Sequence, residues 1–490
     1  MPNIQKSEYF EYLKDESCLT GECDGLIFIS NRDEIAAAVK SSRPLTVRGA
    51  GTGITGAAVP SGGTVLNLSR FSGVNGMGED ETGVFLDVYP GTSLSDLRAA
   101  VSRKDFNYFF APDPTETTAT IGGMFGTNAG GPTSLLYGRT ADHVIAADIR
   151  LASGELLSVE RGRHTFDELG CCSVPDGRKL KVKYSDAPPA VLPLLPRKGT
   201  DLLDLFAGSE GMLGIFENIR LKLTPVPKHR WSIVFFMDSD ESARLFISDA
   251  LKASKKWNGV SLSALDYLDR ASLELFRQFR LKQTRLRTIP EPPGNARAIF
   301  AELVSDDASE TETALNGLLQ ICSDAGGDED LTWAADTEKE IEKLRLFRHG
   351  IPDSVNGAVG QNRRADDSIT KMALDITVPG KAIDVLLRDT HMILDKCGVP
   401  YALTAHAGAN HFHINLLPEN RRQIELCRSV TDEFFNSAVK SGGMIAAENG
   451  IGKVNRDIFR NYIPPEHLEL MRRVKQFFDT DGVLNPGNMV

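Results

Sequence analysis

The sequence lacks the features of disulfide-rich, iron–sulfur and membrane-spanning proteins. Its seven cysteines are an odd number and form no Cys-x-x-Cys pair, so neither a disulfide framework nor a protein-bound iron–sulfur cluster is predicted. No apolar run approaches the ~18 residues that a membrane-spanning helix needs, and the N-terminus has no signal-peptide core. We therefore predict a cytoplasmic protein that is peripheral to a membrane only through a partner.

Basic tracts are also missing, and the overall charge is acidic. The 490 residues include 55 Lys and Arg against 66 Asp and Glu, a net charge of −11. Nucleic acids and anionic membrane surfaces bind clustered Lys and Arg, so neither is expected as the main partner. Small molecules and other proteins remain. A hydrophobic content of 41% and the chain length predict a globular protein of two or three domains.

Glycine is abundant instead, and it is concentrated in residues 1–226. Dense glycine stretches between short apolar runs favour short strands joined by tight turns. The stretches lie at 49–63, 122–138 and 208–214. Helical periodicity predicts helices over 32–39 and 94–101, with Asn31 and Ser93 as N-caps. This region is predicted to be α+β.

The sequence pattern changes after Pro225 and Pro227, from glycine-rich stretches to longer strand and helix patterns. We predict a domain boundary at 226/227. Residues 186–199 are rich in proline and are predicted to form a surface loop. Beyond the boundary, the apolar patterns predict a sheet covered by helices. The predicted elements are strands 233–237 and 298–304, helices 242–254 and 310–323, a final helix 465–478 and a turn at 485–487.

The segment from Thr46 to Gly56 follows an apolar run and contains four glycines. Its backbone N–H groups can face one concavity, which is a phosphate-binding arrangement. It is neither a Walker loop nor the dinucleotide fingerprint that opens a helix. Taken alone, a turn without a ligand explains this stretch equally well.

A second set of motifs makes the pattern specific. Pro112-Asp113-Pro114, Ile121-Gly122-Gly123, Asn128-Ala129-Gly130-Gly131 and Tyr137-Gly138 follow in order, and then Gly208 to Ile215 and Asn485-Pro486-Gly487. Over essentially the whole chain, this series resembles the vanillyl-alcohol oxidase type of flavoenzymes. Within that superfamily it is most similar to the D-2-hydroxyacid dehydrogenases, which include D-lactate dehydrogenase, the flavin subunit of glycolate oxidase and D-2-hydroxyglutarate dehydrogenase.

The resemblance implies an α+β, two-domain flavoprotein with a split FAD-binding domain and a sheet-and-helix substrate domain. The implied ranges are 1–226 for FAD binding, 227–430 for the substrate domain, and 431–490 for a C-terminal segment that returns to the FAD domain. It leaves open whether FAD is covalently attached. The FAD-binding residues that it implies are Arg48, Gly49, Ala50, Gly51, Thr52, Gly53, Pro112, Gly122, Gly123, Asn128, Gly131, Ile215 and Asn485.

Three of the nine histidines lie within the short segment 406–415. In a strand, His411, His413 and Asn415 share one face while the intervening apolar side chains share the other. Two imidazoles and a carboxylate commonly bind a divalent metal with an open position, and Glu448 is the obvious carboxylate. A half-buried strand with hydrogen-bonded histidines is about as plausible from these residues alone.

The family resemblance favours the metal, zinc or a similar ion, with His406, His413 and Glu448 as ligands. A bound cation lowers the pKa of a bound hydroxyl, as it does for water, from 15.7 to about 7 on zinc. The sequence departs from the family at one position: the family has Glu-His where this sequence has Glu448-Asn449. Asparagine cannot accept a proton at neutral pH, so the base that the family resemblance implies is missing. We therefore predict His411 as the base. The alternatives are an alkoxide formed without a dedicated base, His411 as a further ligand, or lost activity.

Three more residues match substrate contacts of the family. Arg348 is the implied carboxylate-binding arginine, since a guanidinium binds a carboxylate bidentately. Arg345, one helical turn earlier, could compete for this role. Lys371 resembles a substrate lysine, although it stands four residues before Asp375 instead of two. Asn415 matches an asparagine that the family resemblance implies as a substrate contact.

The predicted activity is FAD-dependent oxidation of a D-2-hydroxy acid, with the protein orienting the substrate for hydride transfer. The electrons would pass to an iron–sulfur subunit, an electron-transfer flavoprotein, a cytochrome or a quinone. A homodimer is left open. The alternatives are a flavoprotein for another alcohol or hydroxy acid, a catalytically silent FAD subunit of an electron-transfer complex, and a colourless metal-dependent hydrolase.

Overall fold

The computed structural model describes residues 9–41, 43–102, 106–184, 193–369, 372–380, 383–445 and 448–490. The chain forms two compact units. The first consists of Met1–Gly130, Gly138–Val226 and Ala446–Val490, and the second of Gly131–Tyr137 and Pro227–Ile445. The division that we expected at 430/431 falls inside a helix, Arg421–Lys440, because that helix packs in the second unit and the chain leaves this unit only after Ile445.

The first unit is α+β, and its helices and strands are numbered in chain order together with those of the second. Its helices are α1 (Arg32–Ser41), α2 (Leu94–Ser102), α3 (Ile121–Thr127), α5 (Thr140–His143), α6 (Leu202–Phe206), α13 (Arg456–Tyr462) and α14 (Pro465–Phe478). Its strands are β1 (Gly25–Phe28), β2 (Leu45–Arg48), β3 (Thr64–Asn67), β4 (Val74–Asp80), β5 (Gly83–Val88), β6 (Tyr108–Phe109), β7 (Val144–Arg150), β8 (Leu156–Glu160), β9 (Cys171–Ser173), β10 (Lys179–Lys181), β11 (Ile215–Lys222) and β12 (Thr224–Pro225).

Two sheets organise this unit. A parallel sheet has the strand order β1-β3-β2, and an antiparallel sheet has the order β4-β5-β11-β7-β8. The C-terminal segment joins the parallel sheet, where Leu484 pairs with Leu45. Ile29, Leu45, Ile215 and Leu484 are fully buried in one apolar cluster, so the last residues of the chain complete the core that the first residues begin.

The second unit is a large antiparallel sheet covered by helices. Its helices are α4 (Ser134–Tyr137), α7 (Asp240–Ser254), α8 (Arg270–Arg280), α9 (Ala308–Asp324), α10 (Glu338–Ala365), α11 (Ile383–Cys397) and α12 (Arg421–Lys440). Its strands are β13 (His229–Met237), β14 (Val260–Leu268), β15 (Arg297–Ser305), β16 (Trp333–Ala335), β17 (Met372–Thr377), β18 (Tyr401–His406), β19 (His411–Leu416) and β20 (Met444–Ile445).

The eight strands follow the order β16-β13-β15-β14-β18-β19-β17-β20. This order places β14, β18, β19 and β17 side by side near one end of the sheet. Helix α10 packs over the other part of the sheet, where Phe347 and Leu344 are buried against Phe236 and Trp333. The sheet therefore presents four neighbouring strands whose polar residues can meet on one face.

Most predicted elements are confirmed, but one glycine-rich stretch is not. The helices predicted over 32–39 and 94–101 are present as α1 and α2, and Asn31 and Ser93 accept hydrogen bonds from the N–H groups of Glu34 and Asp96. The expectation of strands and tight turns over 122–138 is wrong, since α3 and α4 lie there. The hydroxyl of Thr120 caps α3 by accepting from the N–H of Gly123.

Residues 186–192 of the predicted proline-rich loop lie outside the described residues, and no helix or strand occurs over 193–199. Within the described ranges, no helix is both long and apolar enough to span a membrane.

Candidate functional site

Three imidazoles meet at the hairpin between β18 and β19. His406 ends β18 and lies opposite His411, which begins β19, and Asn410 closes the hairpin in the left-handed conformation at φ 54°. His413 follows two residues later and shares the face of His411. The ligand nitrogens of these histidines lie within 4.8 Å of one another, and the His411 and His413 ring centroids are 4.2 Å apart. The strand periodicity predicted from the sequence is confirmed here.

Asp266 on β14 connects this cluster to Arg348. Its carboxylate contacts His406 Nδ1 at 2.7 Å and accepts a hydrogen bond from Arg348 Nε at 2.8 Å. Burial alone would raise the pKa of Asp266, but the charges and hydrogen bonds of His406 and Arg348 lower it to about 2. The carboxylate is thus ionised and accepts from His406 Nδ1, which assigns the lone pair of the neutral ring to Nε2.

Asp375 on β17 has the same relation to His411. Its carboxylate is hydrogen-bonded to His411 Nε2, and both side chains are buried. The strand pairing explains the contact, because Asp375 lies opposite His413 and Thr377 opposite His411 on neighbouring strands. A carboxylate at Nε2 selects the tautomer that carries the proton there, so Nδ1 is the basic atom of His411.

The two arginines of α10 have different partners. Arg348 is buried against Asp266, whereas the guanidinium of Arg345 is held by Glu302 on β15, with Nη2 to Oε2 at 2.9 Å. Arg348 therefore lies beside the histidine cluster and Arg345 lies one helical turn away from it. Asn415 is half-buried and lies on β19, two residues beyond His413 on the same face. Lys371 lies outside the described residues.

The loop at residues 49–53 has the properties of a phosphate cradle. Among the residues that the structure describes, none of its backbone N–H groups donates a hydrogen bond to a protein acceptor. A side chain at Gly49 would put its Cβ 2.2 Å from the hydroxyl of Thr120, and Gly51 has a φ of +79°. Ala50 and Thr52 complete the loop. The unused donors and the tight backbone fit the pyrophosphate of FAD.

The side chains of Arg48 and Asn485 pack beside this loop and its neighbouring strand. Arg48 is buried, donates from Nη1 to the carbonyl of Lys14 at 2.8 Å, and packs against Gly51. Asn485 Oδ1 accepts from the N–H of Val47 at 2.7 Å, and its Nδ2 donates to the carbonyl of Glu210 at 2.7 Å. Both side chains are therefore held by the protein itself, and they shape the loop.

The remaining predicted FAD residues lie in several local environments. Asn128 caps the C-terminal end of α3, and its Oδ1 accepts from the N–H of Ala141 at 3.0 Å. Gly122 and Gly123 form the first turn of α3, and the carbonyl of Pro112 accepts from Arg98 at 3.2 Å. Gly131 belongs to the short segment of the second unit. Ile215 is fully buried in the apolar cluster of β11, so any contact with flavin there involves its backbone.

Glu210 anchors the segment that follows Glu448 and Asn449. Its buried carboxylate accepts from the N–H groups of Ile451 at 2.6 Å and Gly452 at 2.9 Å. Burial raises the pKa of Glu210 to about 7, against the lowering effect of these amides. The hydroxyl of Thr55 donates to the carbonyl of Asn449 at 3.3 Å. Glu448 is half-buried in this C-terminal segment of the first unit.

No sequence pattern predicted a role for Asp266, Glu210 or Glu302, and Asp375 served only as a reference position for Lys371. The available signal was an acidic residue inside an otherwise apolar strand, as in Ala264-Leu265-Asp266-Tyr267-Leu268. A buried acid in such a strand requires a partner, so it points to a polar network. The identity of the partner depends on strand order, which the sequence pattern does not give.

Comparison with known proteins agrees with this architecture. A family model for the FAD binding domain matches residues 24–160, and a model for the C-terminal domain of FAD linked oxidases matches residues 226–489. Together with the fold, these matches define an FAD-dependent oxidoreductase. More narrowly, the chain belongs to the FAD-linked oxidase family.

Two curated relatives cover nearly the whole chain. A D-lactate dehydrogenase of Anaerostipes hadrus is 25% identical over 98% of this chain and 92% of its own length. The glycolate oxidase subunit GlcD of Bacillus subtilis is 27% identical over 95% of this chain and 88% of its own length. Both similarities extend across the FAD-binding and C-terminal regions.

Solved structures share the fold at low sequence identity. Substrate-bound p-cresol methylhydroxylase has a TM-score of 0.69 and 14% identity, covering 99% of this chain and 93% of its own. Alkyldihydroxyacetonephosphate synthase has a TM-score of 0.60 and 14% identity, covering 94% of this chain and 75% of its own. The two-domain flavoprotein fold of the vanillyl-alcohol oxidase type, predicted from the motifs, is confirmed.

Proposed function

We propose that the protein oxidises a D-2-hydroxy acid of the D-lactate, glycolate or D-2-hydroxyglutarate class to the 2-oxo acid. The observation that carries the proposal is the contact of Asp266 with both His406 and Arg348. This contact holds an imidazole beside a guanidinium, which supports a metal for the substrate hydroxyl next to a receptor for the substrate carboxylate. Relatives named D-lactate dehydrogenase and glycolate oxidase subunit support this substrate class. FAD, when bound, supplies the hydride acceptor.

A divalent metal fits the histidine cluster. We assign His406 and His413 as ligands, with Glu448 as the third ligand that the family resemblance implies. Imidazole is a common zinc ligand, and Asp266 orients His406 as carboxylates orient metal-binding histidines in other proteins. Zinc or a similar ion, when bound, would supply Lewis-acid polarisation of the substrate hydroxyl.

The substrate carboxylate is assigned to Arg348. Its Nε donates to Asp266, which fixes the plane of the guanidinium, and the Nη groups provide the fork for a carboxylate. Asn415, on the face of His413, is assigned to a polar contact with the substrate. Lys371 keeps the secondary carboxylate role that the resemblance implies. These contacts hold the substrate in one orientation, which is the main contribution of a protein to hydride transfer.

His411 is assigned as the base in place of Asn449. Asp375 binds Nε2, so the hydroxyl proton would be taken at Nδ1, and the hydrogen bond to Asp375 would stabilise the resulting imidazolium. The backbone carbonyl of Asn449 is bound to Thr55, which gives this residue a positioning role. The alternatives are an alkoxide formed without a base and His411 as a metal ligand.

The electrons are proposed to leave to a protein or quinone acceptor. The sequence carries no nicotinamide fingerprint and no cysteine motif for an iron–sulfur cluster. An iron–sulfur subunit, an electron-transfer flavoprotein or a cytochrome would fill this role. A relative that is named as a subunit of glycolate oxidase supports a partner protein.

Anaerobic spectroscopy tests the proposed reaction directly. The purified holoenzyme would be mixed separately with D-lactate, L-lactate, glycolate and D-2-hydroxyglutarate while the flavin absorbance is followed. We expect bleaching by glycolate or a D-acid, and none by L-lactate. A flavin that no acid bleaches would refute the hydroxy-acid assignment and favour a silent FAD subunit or another alcohol substrate.

A further inference from the structure

A cluster of two arginines lies on the same sheet face as the histidines, around the buried carboxylate of Glu302. Arg345 from α10 approaches this carboxylate with Nε at 3.2 Å and Nη2 at 2.9 Å. Ser232 and Ser263 donate to the same group at 3.2 and 3.1 Å. A carboxylate offers about four lone-pair positions, so these donors occupy the acceptor capacity of Glu302.

Arg230 on β13 is the member of this cluster that Glu302 does not satisfy. Its Nε is 3.9 Å from Glu302 Oε1, and in the described part of the chain its guanidinium makes no hydrogen bond. Its side chain is nevertheless only 19% exposed. Two arginines against one glutamate leave one positive charge in excess. A guanidinium that is largely removed from water, and that has only a long ion pair and no hydrogen bond, favours a further anion.

Tyr137 lies at the edge of the same cluster. Burial raises the pKa of its hydroxyl, which lies within the electrostatic reach of Arg230, Glu302 and Arg345. A neutral phenol can donate a hydrogen bond to an anion beside the arginines. Tyr137 belongs to the Tyr137-Gly138 motif of the sequence, to which the proposed reaction assigns no role.

The position of this cluster relative to Arg348 follows from the sheet register. Phe300 lies opposite Asp266, and Glu302 is two residues further along β15 on the same face, about 6.6 Å away at the usual strand rise. Arg345 and Arg348 are one turn apart on α10 and contact these two acids. The two acids that hold Arg345 and Arg348 are therefore neighbours on one face of the sheet, and this backbone spacing is of the order of the length of a short dicarboxylic acid.

We propose that Arg230, with Arg345 and Tyr137, binds a second carboxylate, so that the substrate is a dicarboxylic 2-hydroxy acid such as D-malate or D-2-hydroxyglutarate. This inference rests on the proposed function, in which Arg348 binds the carboxylate next to the reacting carbon. The guanidinium of Arg230 binds the distal carboxylate, and Tyr137 donates a further hydrogen bond. D-lactate lacks that group and leaves Arg230 without its anion.

The test compares mono- and dicarboxylic substrates in the holoenzyme and in Arg230→Met. In the unaltered enzyme, half-saturation of anaerobic flavin reduction should need about tenfold less D-malate or D-2-hydroxyglutarate than D-lactate. The Arg230→Met variant should lose this preference and keep its D-lactate response. Arg270→Met removes an exposed charge in the same unit, and it should change both responses by less than about twofold because distant charges are screened.

The outcomes separate this inference from the reaction itself. An equal effect of Arg230→Met on D-lactate and the diacids, or no diacid preference in the unaltered enzyme, would overturn the subsite. If Arg230→Met does not fold, Arg230→Lys replaces it, with the diacids again expected to weaken more than D-lactate. If no acid reduces the flavin, calorimetric titration decides: diacid binding that depends on Arg230 keeps the subsite and refutes the reaction, whereas its absence refutes both.

Discussion

At the scale of single residues, Asp266 is the junction of the candidate site. It binds a histidine from β18 and an arginine from α10, side chains that are far apart in the sequence. Its pKa, lowered to about 2 by His406 and Arg348, keeps it a charged acceptor at neutral pH. The orientation of His406 and that of Arg348 thus depend on one carboxylate.

Replacing this carboxylate should weaken metal binding more than flavin binding. We expect Asp266→Asn to lower the affinity for zinc by about 10- to 100-fold, the usual effect of removing a carboxylate that orients a metal-binding histidine. Metal analysis and competition with a chelator would measure it, and the flavin spectrum would report the fold. Asp249→Asn, an exposed acid on α7, is the matched control. Unchanged metal affinity in Asp266→Asn would contradict the assignment of His406 as a ligand.

The His411 and Asp375 pair makes a separate prediction about proton transfer. His411→Ala should slow anaerobic flavin reduction by about 100- to 10,000-fold, the range for loss of a general base, while substrate still binds. Asp375→Asn should slow it less, since the imidazole remains. Stopped-flow spectroscopy across pH would measure both, with His164→Ala, a half-buried histidine of the first unit, as control. Flavin reduction by His411→Ala that equals the unaltered enzyme at every pH would eliminate the base assignment.

Residue identities could be predicted from the sequence only where a pattern was local. Strand alternation predicted that His411 and His413 share a face, and the structure confirms it. The partners of these histidines depend on strand order, since β14 and β17 become neighbours of the hairpin only in the folded sheet. The roles of Asp266 and Arg230 could therefore not be predicted from sequence patterns.

At the scale of elements, the segment after Asn449 is held by long-range hydrogen bonds instead of regular structure. Thr55 accepts from the N–H groups of Lys453 and Val454, and Glu210 accepts from those of Ile451 and Gly452. These contacts join the segment to two other loops of the first unit, those of Thr55 and Glu210. The segment carries Glu448 at its start, so its position depends on the buried Glu210.

Glu210 gives this segment a pH dependence whose sign follows from its raised pKa. Its value rises from 4.5 to about 7 on folding, so its contribution to stability is complete below about 4.5 and is lost as the pH rises through about 7. The melting temperature should therefore fall between pH 5 and 7 more in the unaltered protein than in Glu210→Gln. Thermal denaturation followed by circular dichroism would measure this. Equal slopes for the two proteins would show that Glu210 is not protonated on folding.

Helices and strands were more predictable than the glycine-rich loops. Apolar periodicity identified α1, α2, α7, α9, β13 and β15 because each has one buried face. The stretch 122–138 was misjudged because its glycines suggested turns, whereas the Thr120 cap and tertiary packing make part of it helical. Glycine allows positive φ angles and close approach of other atoms to the backbone, but a high glycine content does not by itself decide the secondary structure.

At the scale of the whole molecule, the motif order was the decisive signal. No single glycine motif distinguished a cofactor loop from a turn, but their order across the chain predicted the flavoprotein fold that the family matches confirm. The boundary near 226 is marked by prolines and agrees with the start of the C-terminal family match. The return at residue 431 that the resemblance implies lies within α12, which belongs to the second compact unit.

The pairing of Leu45 with Leu484 also determines the order in which the protein can be made. A ribosome releases the N-terminal strands first, yet their sheet lacks its final bridge, and Val47 lacks its bond to Asn485, until the last residues emerge. The whole second unit is synthesised in between and has all of its strands beforehand. The first unit therefore cannot complete its parallel sheet until Leu484 and Asn485 have been synthesised.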